Sequence, residues 1–244
     1  MPAKALSRVS GRKLCKAALG LTVVARHASI DYRTKEPTVK GVLRVAKKAD
    51  LVPKSFRLLA RQGDEPRHFL SANVLVHSFK GEKNLNVAKA PELGLQYRRY
   101  SKDSPLMQDL RRKFPKKGQA GIEFMKLWLD GKVSPEFMEK PEVVGREVLQ
   151  RALQFTSDEI SHSKAGTKRP LVANVSSREQ VSALLKFLGI DIREITPRHY
   201  RGSGWIPIRA TEHALIYHLP EEKFILWFRG RYFDITTQAR KLLA

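Results

Sequence analysis

The alternation of apolar and polar residues is most regular near the end of the chain. The apolar run "PLVANV" at 170–175 predicts a short strand. Ser176 and Glu179 then predict a capping box at the start of a helix, which Gly189 would end. Apolar residues recur with helical spacing after the cap and predict one buried helix face, formed by Val181, Leu184, Leu185 and Leu188.

Two further patterns complete this part of the chain. The alternating sequence "IDIREI" at 190–195 predicts a second strand. The apolar segments "HALIYHL" and "KFILWFRG" flank "PEE", which predicts a β-hairpin. Together these elements predict a small α/β domain over 170–244, made of strand, helix, strand and hairpin.

Proline positions predict helices in the region before that domain. Pro105 behind Ser104 marks one helix start, and Pro135 and Pro141 mark two more. The sequence "IEFMKLWLDG" at 122–131 is apolar on nearly every side, so it predicts a buried helix that ends at its glycine.

Two strands are predicted in the same region. "FLSANVLVHSF" at 69–79 is apolar and rich in residues that favour strands, and "LGLQYRRY" at 93–100 is a second candidate. The turn sequence "GDEP" and the polar segment 156–170 mark its two boundaries. We therefore predict a mixed, mainly helical region over 63–169.

Charge separates the beginning of the chain from the rest. The protein has 46 Lys and Arg against 24 Asp and Glu, a formal net charge of +22. An excess of this size attracts polyanions, so RNA, DNA and anionic membranes are candidate partners. Residues 1–62 hold 15 Lys and Arg against three acids, and Pro53 interrupts any long helix there. We predict that 1–62 is a basic N-terminal arm, and that the fold class is α+β.

The first 30 residues are typical of a mitochondrial presequence. They contain no acid, and their basic residues form one helical stripe of Lys4, Arg8, Arg12 and Lys16. Arg26 is a plausible processing point. A secretory signal is disfavoured because "RHAS" follows the apolar run, and a retained tail that lies along RNA is the alternative. Cys15 is the single cysteine, which excludes an intramolecular disulfide and a cysteine metal site.

Basic and aromatic residues predict three RNA-binding segments. Arginine grips phosphate through two hydrogen bonds, and aromatic rings stack on unpaired bases. In the third segment, "PRHYRGSGWIPIR", an RNA contact and a loop whose Trp205 packs under the sheet stay equally open. The candidates are Arg44, Lys47, Lys48, Lys54, Arg57, Arg61, Arg98, Arg99, Arg111, Arg112, Lys113, Lys116, Lys117, Arg198, Tyr200, Arg201 and Trp205.

Patterns that indicate enzymes are missing from the sequence. There is no HExxH, GxSxG, GxGxxG or Lys-bearing phosphate loop, and no pair of carboxylates at a fixed spacing. We therefore predict no enzymatic activity, no catalytic residue, no cofactor and no metal.

The combination of a presequence-like start, a basic arm, a helical middle and a compact α/β end resembles mitochondrial ribosomal proteins as a class. The resemblance implies a structural role in the mitochondrial matrix, with ribosomal RNA and other ribosomal proteins as partners and no small-molecule substrate. Two alternatives remain: a ribosome-assembly or RNA-processing factor, and a nuclease or RNA-modifying enzyme.

Overall fold

The computed structural model describes residues 2–7, 9–29, 31, 34, 37–94, 105–116, 119–195 and 208–244. Within them, the strands are β1 (Lys4–Leu6), β2 (Gly20–Arg26), β3 (Phe56–Gln62), β4 (Ala88–Lys89), β5 (Arg169–Ser176), β6 (His213–Leu219), β7 (Lys223–Phe228) and β8 (Arg231–Asp234). The α-helices are α1 (Gly11–Ala17), α2 (Val39–Ala49), α3 (Pro66–Ser78), α4 (Pro105–Lys113), α5 (Gln119–Leu129), α6 (Pro141–Ser161), α7 (Arg178–Phe187) and α8 (Thr236–Leu243).

All eight strands form one mixed sheet in the order β1-β8-β7-β6-β2-β5-β3-β4. Strands β2, β5, β3 and β4 run parallel, whereas β6 pairs antiparallel with β2 and is followed by antiparallel β7, β8 and β1. The carboxyl ends of β2, β3 and β5 therefore lie at one edge of the sheet, where β6 begins.

Helices cover both faces of the sheet, so side chains that alternate along β2 pack against different helices. Leu21 belongs to a buried cluster with residues of α2 and α3, whereas Val24 belongs to a second cluster with residues of α5, α6 and α7. Helix α1 lies beside β6 on the α2 side. No helix in the described ranges is long and apolar enough to cross a bilayer.

Most helix predictions are confirmed, as is the α+β class. Helices α4 and α6 begin at Pro105 and Pro141, and α5 contains residues 122–129 of the predicted buried segment, ending two residues before the glycine. Strand β5, helix α7 and the hairpin β6–β7 lie where the pattern predicts them. Gly189 has φ +70° just after the last residue of α7, as a helix-ending glycine requires.

Helix α3 replaces the strand predicted at 69–79. Pro66 supplies the first helical position, and the buried residues His68, Ala72 and Val76 recur every four residues along one face. The strand prediction weighed residue types and overlooked this spacing, so it was wrong.

Three other local predictions also differ from the structure. Residues 192–195 form turns rather than a strand, and Pro135 lies in a turn rather than a helix. Ser177, not Ser176, caps α7 by accepting a hydrogen bond from the backbone nitrogen of Glu179 at 3.2 Å. Of the strand predicted at 93–100, all but the first two residues lie outside the described residues, as does Ser104.

The predicted basic arm is part of the folded body. Strand β3 lies between β5 and β4, and its residues Phe56 and Leu58 are fully buried. Strand β2, from the presequence-like start, lies between β6 and β5. The three regions predicted from the sequence thus all contribute strands to one sheet.

Gly145 allows the close approach of α6 and α7. A Cβ atom at this position would lie 2.5 Å from the carbonyl carbon of Ala183 and 2.9 Å from the backbone nitrogen of Leu184. Carbon atoms normally approach to about 3.5–4.0 Å. A glycine inside a helix costs about 0.5–1 kcal/mol relative to alanine, so here the gain comes from contact between the two helices.

Gly145→Ala is therefore expected to destabilise the protein by about 1–3 kcal/mol, because the backbones must separate. Gly121 of α5 is the matched control, since a Cβ there meets nothing within 4 Å. Gly121→Ala should stabilise the fold by about 0.5–1 kcal/mol. Urea unfolding measures both changes. Equal stability of the Gly145→Ala variant and the parent would refute the close-packing interpretation.

Candidate active site

The connections on either side of the sheet define a crevice at the carboxyl edge. Strands β2 and β5 are adjacent and parallel, but β2 leads to α2 on one face and β5 leads to α7 on the other. In open sheets of this kind, ligands bind outside the carboxyl ends of the strands where such connections diverge. The residues that follow β2, β3 and β5 are therefore the candidates for function.

His27 follows β2 and has a fixed orientation. Its backbone nitrogen donates to the carbonyl of Ser176 at 2.9 Å, which ties the ends of β2 and β5 together. Its Nδ1 lies 2.5 Å from the carbonyl oxygen of Ala28. A carbonyl oxygen only accepts, so Nδ1 carries the hydrogen and Nε2 keeps its lone pair.

The environment of His27 keeps its imidazole neutral. Burial, followed by the charges of Arg67 and Arg26, lowers the pKa of His27 from 6.5 to about 3. The backbone next to His27 is held by the neighbouring helix, because Ser71 of α3 accepts a hydrogen bond from the backbone nitrogen of Ala28 at 3.0 Å. A neutral, oriented and largely dehydrated imidazole nitrogen is a nucleophile.

His68 lies beside His27, with 5.4 Å between the ring centroids. It is fully buried, and neither ring nitrogen has a hydrogen-bond partner among the described residues. Burial and the charge of Arg67 lower the pKa of His68 to about 4. His68 therefore forms a second neutral imidazole in the site, but nothing described orients its ring as Ala28 orients that of His27.

Three arginines supply positive charge around the histidines. Arg26 ends β2, Arg67 lies in the first turn of α3, and Arg178 begins α7. Two carboxylates of the same region contact them: Glu65 pairs with Arg67, and Glu179 lies 3.1 Å from Arg178. Of these arginines, Arg26 and Arg67 act on His27, and Arg26 also acts on Glu179.

Glu179 remains ionised within this cluster. Its burial raises the pKa, but the charge of Arg178, the hydrogen bond with Ser177 and the charge of Arg26 prevail and lower it to about 2. A carboxyl group of this kind positions cations and does not donate protons at neutral pH. Glu179 also acts on His68, whose pKa it raises against the effect of burial.

Two helix N-termini add to the positive potential. Helix α3 starts at Pro66 just after β3, and α7 starts directly after β5, so both point their free backbone N–H groups towards the carboxyl edge. Anions such as phosphate bind favourably at such positions. Within the described ranges, no three metal-ligating side chains come together. The arrangement thus fits an anion held by arginines next to the nucleophilic nitrogen of His27.

Solved structures of two phosphatases and a phosphoglycerate mutase have a fold similar to that of this chain. A mycobacterial glucosyl-3-phosphoglycerate phosphatase matches with TM-score 0.56 and 15% identity over 86% of this chain and 98% of its own. A phosphoglycerate mutase from Bacillus anthracis matches with TM-score 0.52 and 12% identity, over 93% of this chain and 99% of its own. A phosphoserine phosphatase from Entamoeba histolytica matches with TM-score 0.51 and 12% identity, over 89% of this chain and 98% of its own. That structure is of a variant in which a histidine is changed to alanine, in complex with phosphoserine. No family model and no curated protein matches the sequence.

These similarities correct the functional interpretation of the sequence. The chain shares its fold with a glucosyl-3-phosphoglycerate phosphatase and a phosphoglycerate mutase, and no ribosomal protein is among these similar structures. The predicted structural role in a mitochondrial ribosome, the absence of enzymatic activity, and the ribosomal partners without a small-molecule substrate were therefore wrong. The net charge led to that error because a count of charges does not show where they meet.

The predicted RNA-binding residues that the structure describes lie in separate places. One exposed group lies on α2 or just after it: Arg44, Lys47 and Lys54, with half-buried Lys48. A second exposed group lies at the end of α4, on the other side of the sheet: Arg111, Arg112, Lys113 and Lys116. Lys117, Arg98, Arg99, Arg198, Tyr200, Arg201 and Trp205 lie outside the described residues. RNA contact at these positions stays a prediction.

Two of the predicted RNA contacts pair with acids of the same chain. In β3, Arg57 lies 2.9 Å from Glu159 of α6, and Arg61 lies 2.5 Å from Glu92. Arg61 is buried and also contacts Asn174 of β5. These arginines join strands and helices.

The sequence analysis did not identify the residues of this site, although a local sequence pattern marks each of the three strand ends. Three apolar runs that form parallel strands are each followed by basic residues, in "VVARHA", "LLARQGDEPRH" and "VANVSSRE". Had the three runs been assigned to parallel strands, their ends would have been placed at one edge. The first run was instead interpreted as part of a targeting sequence, and the helix after the second as a strand.

Proposed function

We propose that this chain hydrolyses phosphate monoesters through a phosphorylated His27. The observation that carries the proposal is the neutral His27 imidazole, whose Nδ1 is held by the Ala28 carbonyl beside Arg26 and Arg67. The shared fold with phosphatases and a phosphoglycerate mutase supports it.

The reaction has two steps in this site. Nε2 of His27 attacks phosphorus while the ester P–O bond breaks, and the alcohol leaves with a proton from solvent. Water then attacks phosphorus, the P–N bond breaks, and inorganic phosphate and neutral imidazole are released, with the proton of the water passing to solvent. The arginines stabilise the charge on the phosphoryl oxygens in both transition states, which is where phosphoryl transfer needs stabilisation.

The direct test is phosphate release by the purified full-length protein. Phosphoserine, phosphoglycerate and p-nitrophenyl phosphate cover a range of leaving groups. We expect phosphate release from at least one ester, and an acid-labile phosphohistidine in samples quenched during turnover. Absence of both phosphate release and phosphohistidine with all three esters would refute the proposal.

Arg67→Ala should lower kcat/KM for the best ester by about 10–100-fold, because charge-assisted hydrogen bonds contribute about 1.5–3 kcal/mol each. Arg112→Ala is the matched control, since Arg112 lies exposed on α4 in an ion pair with Asp109. Steady-state kinetics of both variants makes the comparison. Equal activity of the two variants would show that Arg67 does not bind the phosphoryl group.

Localisation in the mitochondrial matrix also stays a proposal, supported by the basic, acid-free first 30 residues. Removal of residues 1–26 would delete the central strand β2, so we propose that import leaves the chain uncleaved. Import into isolated mitochondria followed by sizing of the protected product tests this. A product shortened by about that segment would contradict it.

A further inference from the structure

A cavity of about 240 Å³ lies between the sheet and α2. Its floor consists of side chains of β2, β5 and β6, and its opposite wall comes from α2 and the residues after it. For comparison, an engineered cavity of about 150 Å³ binds benzene. By this comparison, the cavity is large enough to hold a small apolar ligand.

The cavity is long and mainly apolar. Leu21 and Ala25 line its two ends on β2, and four residues of strand span about 13 Å. Ala173 of β5 has a small side chain and lines the cavity from the sheet, and Val45 lines it from α2. An elongated apolar space between a sheet and a helix fits a linear hydrocarbon chain.

Most polar residues of the cavity lie towards the candidate active site, whereas Tyr217 lies at the other end, opposite Leu21. Arg26, Ser71 and Thr211 line its upper part. Ser71 holds the backbone nitrogen of Ala28, next to His27, and Thr211 donates its backbone N–H to the carbonyl of Arg26 at 3.2 Å. Lys48 adds a positive charge from α2. An anionic group at this end would meet cations, while an apolar body would extend along β2.

We propose that this cavity binds the alkyl chain of a phosphate monoester whose phosphoryl group lies at His27 and Arg26. The assignment rests on the proposed function for the phosphoryl group, and on the shape and lining of the cavity for the chain. The substrate class is therefore phosphate esters of linear aliphatic alcohols.

Binding of phosphonates to the full-length protein tests the proposal without turnover, because their C–P bond is not hydrolysed. Isothermal titration should show octylphosphonate binding at least about 100-fold more tightly than methylphosphonate, since each buried methylene contributes up to about fourfold. Ala173→Leu, which fills the cavity, should reduce this ratio to below about fivefold. Ala25→Leu provides a second variant that fills another part of the same space.

Ala183→Leu is the matched control for packing. Ala183 is fully buried where α7 meets α6, so an added side chain there should lower the melting temperature. The Ala173→Leu and Ala25→Leu variants should keep theirs within a few degrees, because their added atoms enter existing space. A large loss in these variants as well would contradict the cavity itself.

The titrations separate this proposal from the proposed function. Equal affinity for the two phosphonates would overturn the alkyl-binding cavity and leave the phosphoryl site standing. Binding of 1-octanol without binding of either phosphonate would overturn the phosphoryl site and, with it, the assignment of the substrate class. No binding of any of the three compounds would overturn both.

Discussion

Replacing His27 with alanine should lower phosphate release by at least about 10³-fold, because the reaction then lacks its nucleophile. The phosphohistidine should disappear from quenched samples at the same time. Binding of methylphosphonate should survive within a few-fold, since the arginines provide most of the attraction for the anion. Steady-state kinetics, mass spectrometry of quenched samples and calorimetry measure the three quantities.

Two other histidines serve as comparisons for this variant. His77 is exposed near the end of α3, so His77→Ala should leave activity unchanged. His68→Gln keeps a polar side chain beside His27 and should retain the phosphohistidine even if turnover slows. Activity of His27→Ala within about tenfold of the parent would contradict the assignment of the nucleophile, and loss of phosphohistidine in His68→Gln would transfer that role to His68.

The distance of the site residues along the chain explains why the sequence did not reveal the site. Arg26, Arg67 and Arg178 lie at or just beyond the ends of three strands, and they meet only because β2, β3 and β5 are parallel in one sheet. Pairing order is a long-range property that local periodicity does not contain. The same three segments contribute to the high net charge. The sequence analysis explained that charge by a polyanionic partner, and not by an anion-binding pocket.

Strand β2 shows a second limit of local patterns. A parallel strand that is buried on both faces is a continuous apolar run, and so is the apolar part of a targeting sequence. The run in 17–25 fits both, and only its neighbours β5 and β6 decide between them. Helix caps and prolines are local chemistry, which is why the starts of α4 and α6 were predicted correctly.

The residues Ile190, Ile192 and Ile195 illustrate the opposite error. Their spacing predicted a strand, and all three are buried, but the backbone there forms turns. Asp191 accepts a hydrogen bond from the backbone nitrogen of Arg193 at 2.8 Å, a contact typical of a turn. The sequence thus identified which side chains enter the core, and the local hydrogen bond determined the backbone.

Buried histidines should make the stability of the protein strongly dependent on pH. Burial lowers the pKa of His218 from 6.5 to about 3, and the lowered values for His27 and His68 are about 3 and about 4. Between these values and 6.5, the unfolded chain binds protons that the folded chain does not. Stability is therefore full above pH 6.5 and falls as the pH drops towards about 4.

These three histidines contribute about 1.4 kcal/mol per pH unit each, or about 4 together, and His213, whose pKa burial lowers to about 4, adds to this slope. The protein should therefore unfold in acid near pH 4–5, because typical domains have only about 5–15 kcal/mol of stability.

His218→Gln can keep a hydrogen bond to Thr22, which lies 2.7 Å from the histidine nitrogen, without titrating. We expect urea unfolding between pH 8 and pH 5 to show that the free energy of unfolding of this variant changes by about 1.4 kcal/mol less per pH unit than that of the parent. At pH 8 the histidines are neutral in both states, so a difference between the two proteins there measures the effect of the substitution on packing. A parent protein equally stable at pH 8 and pH 5 would show that these histidines are not held neutral by the fold.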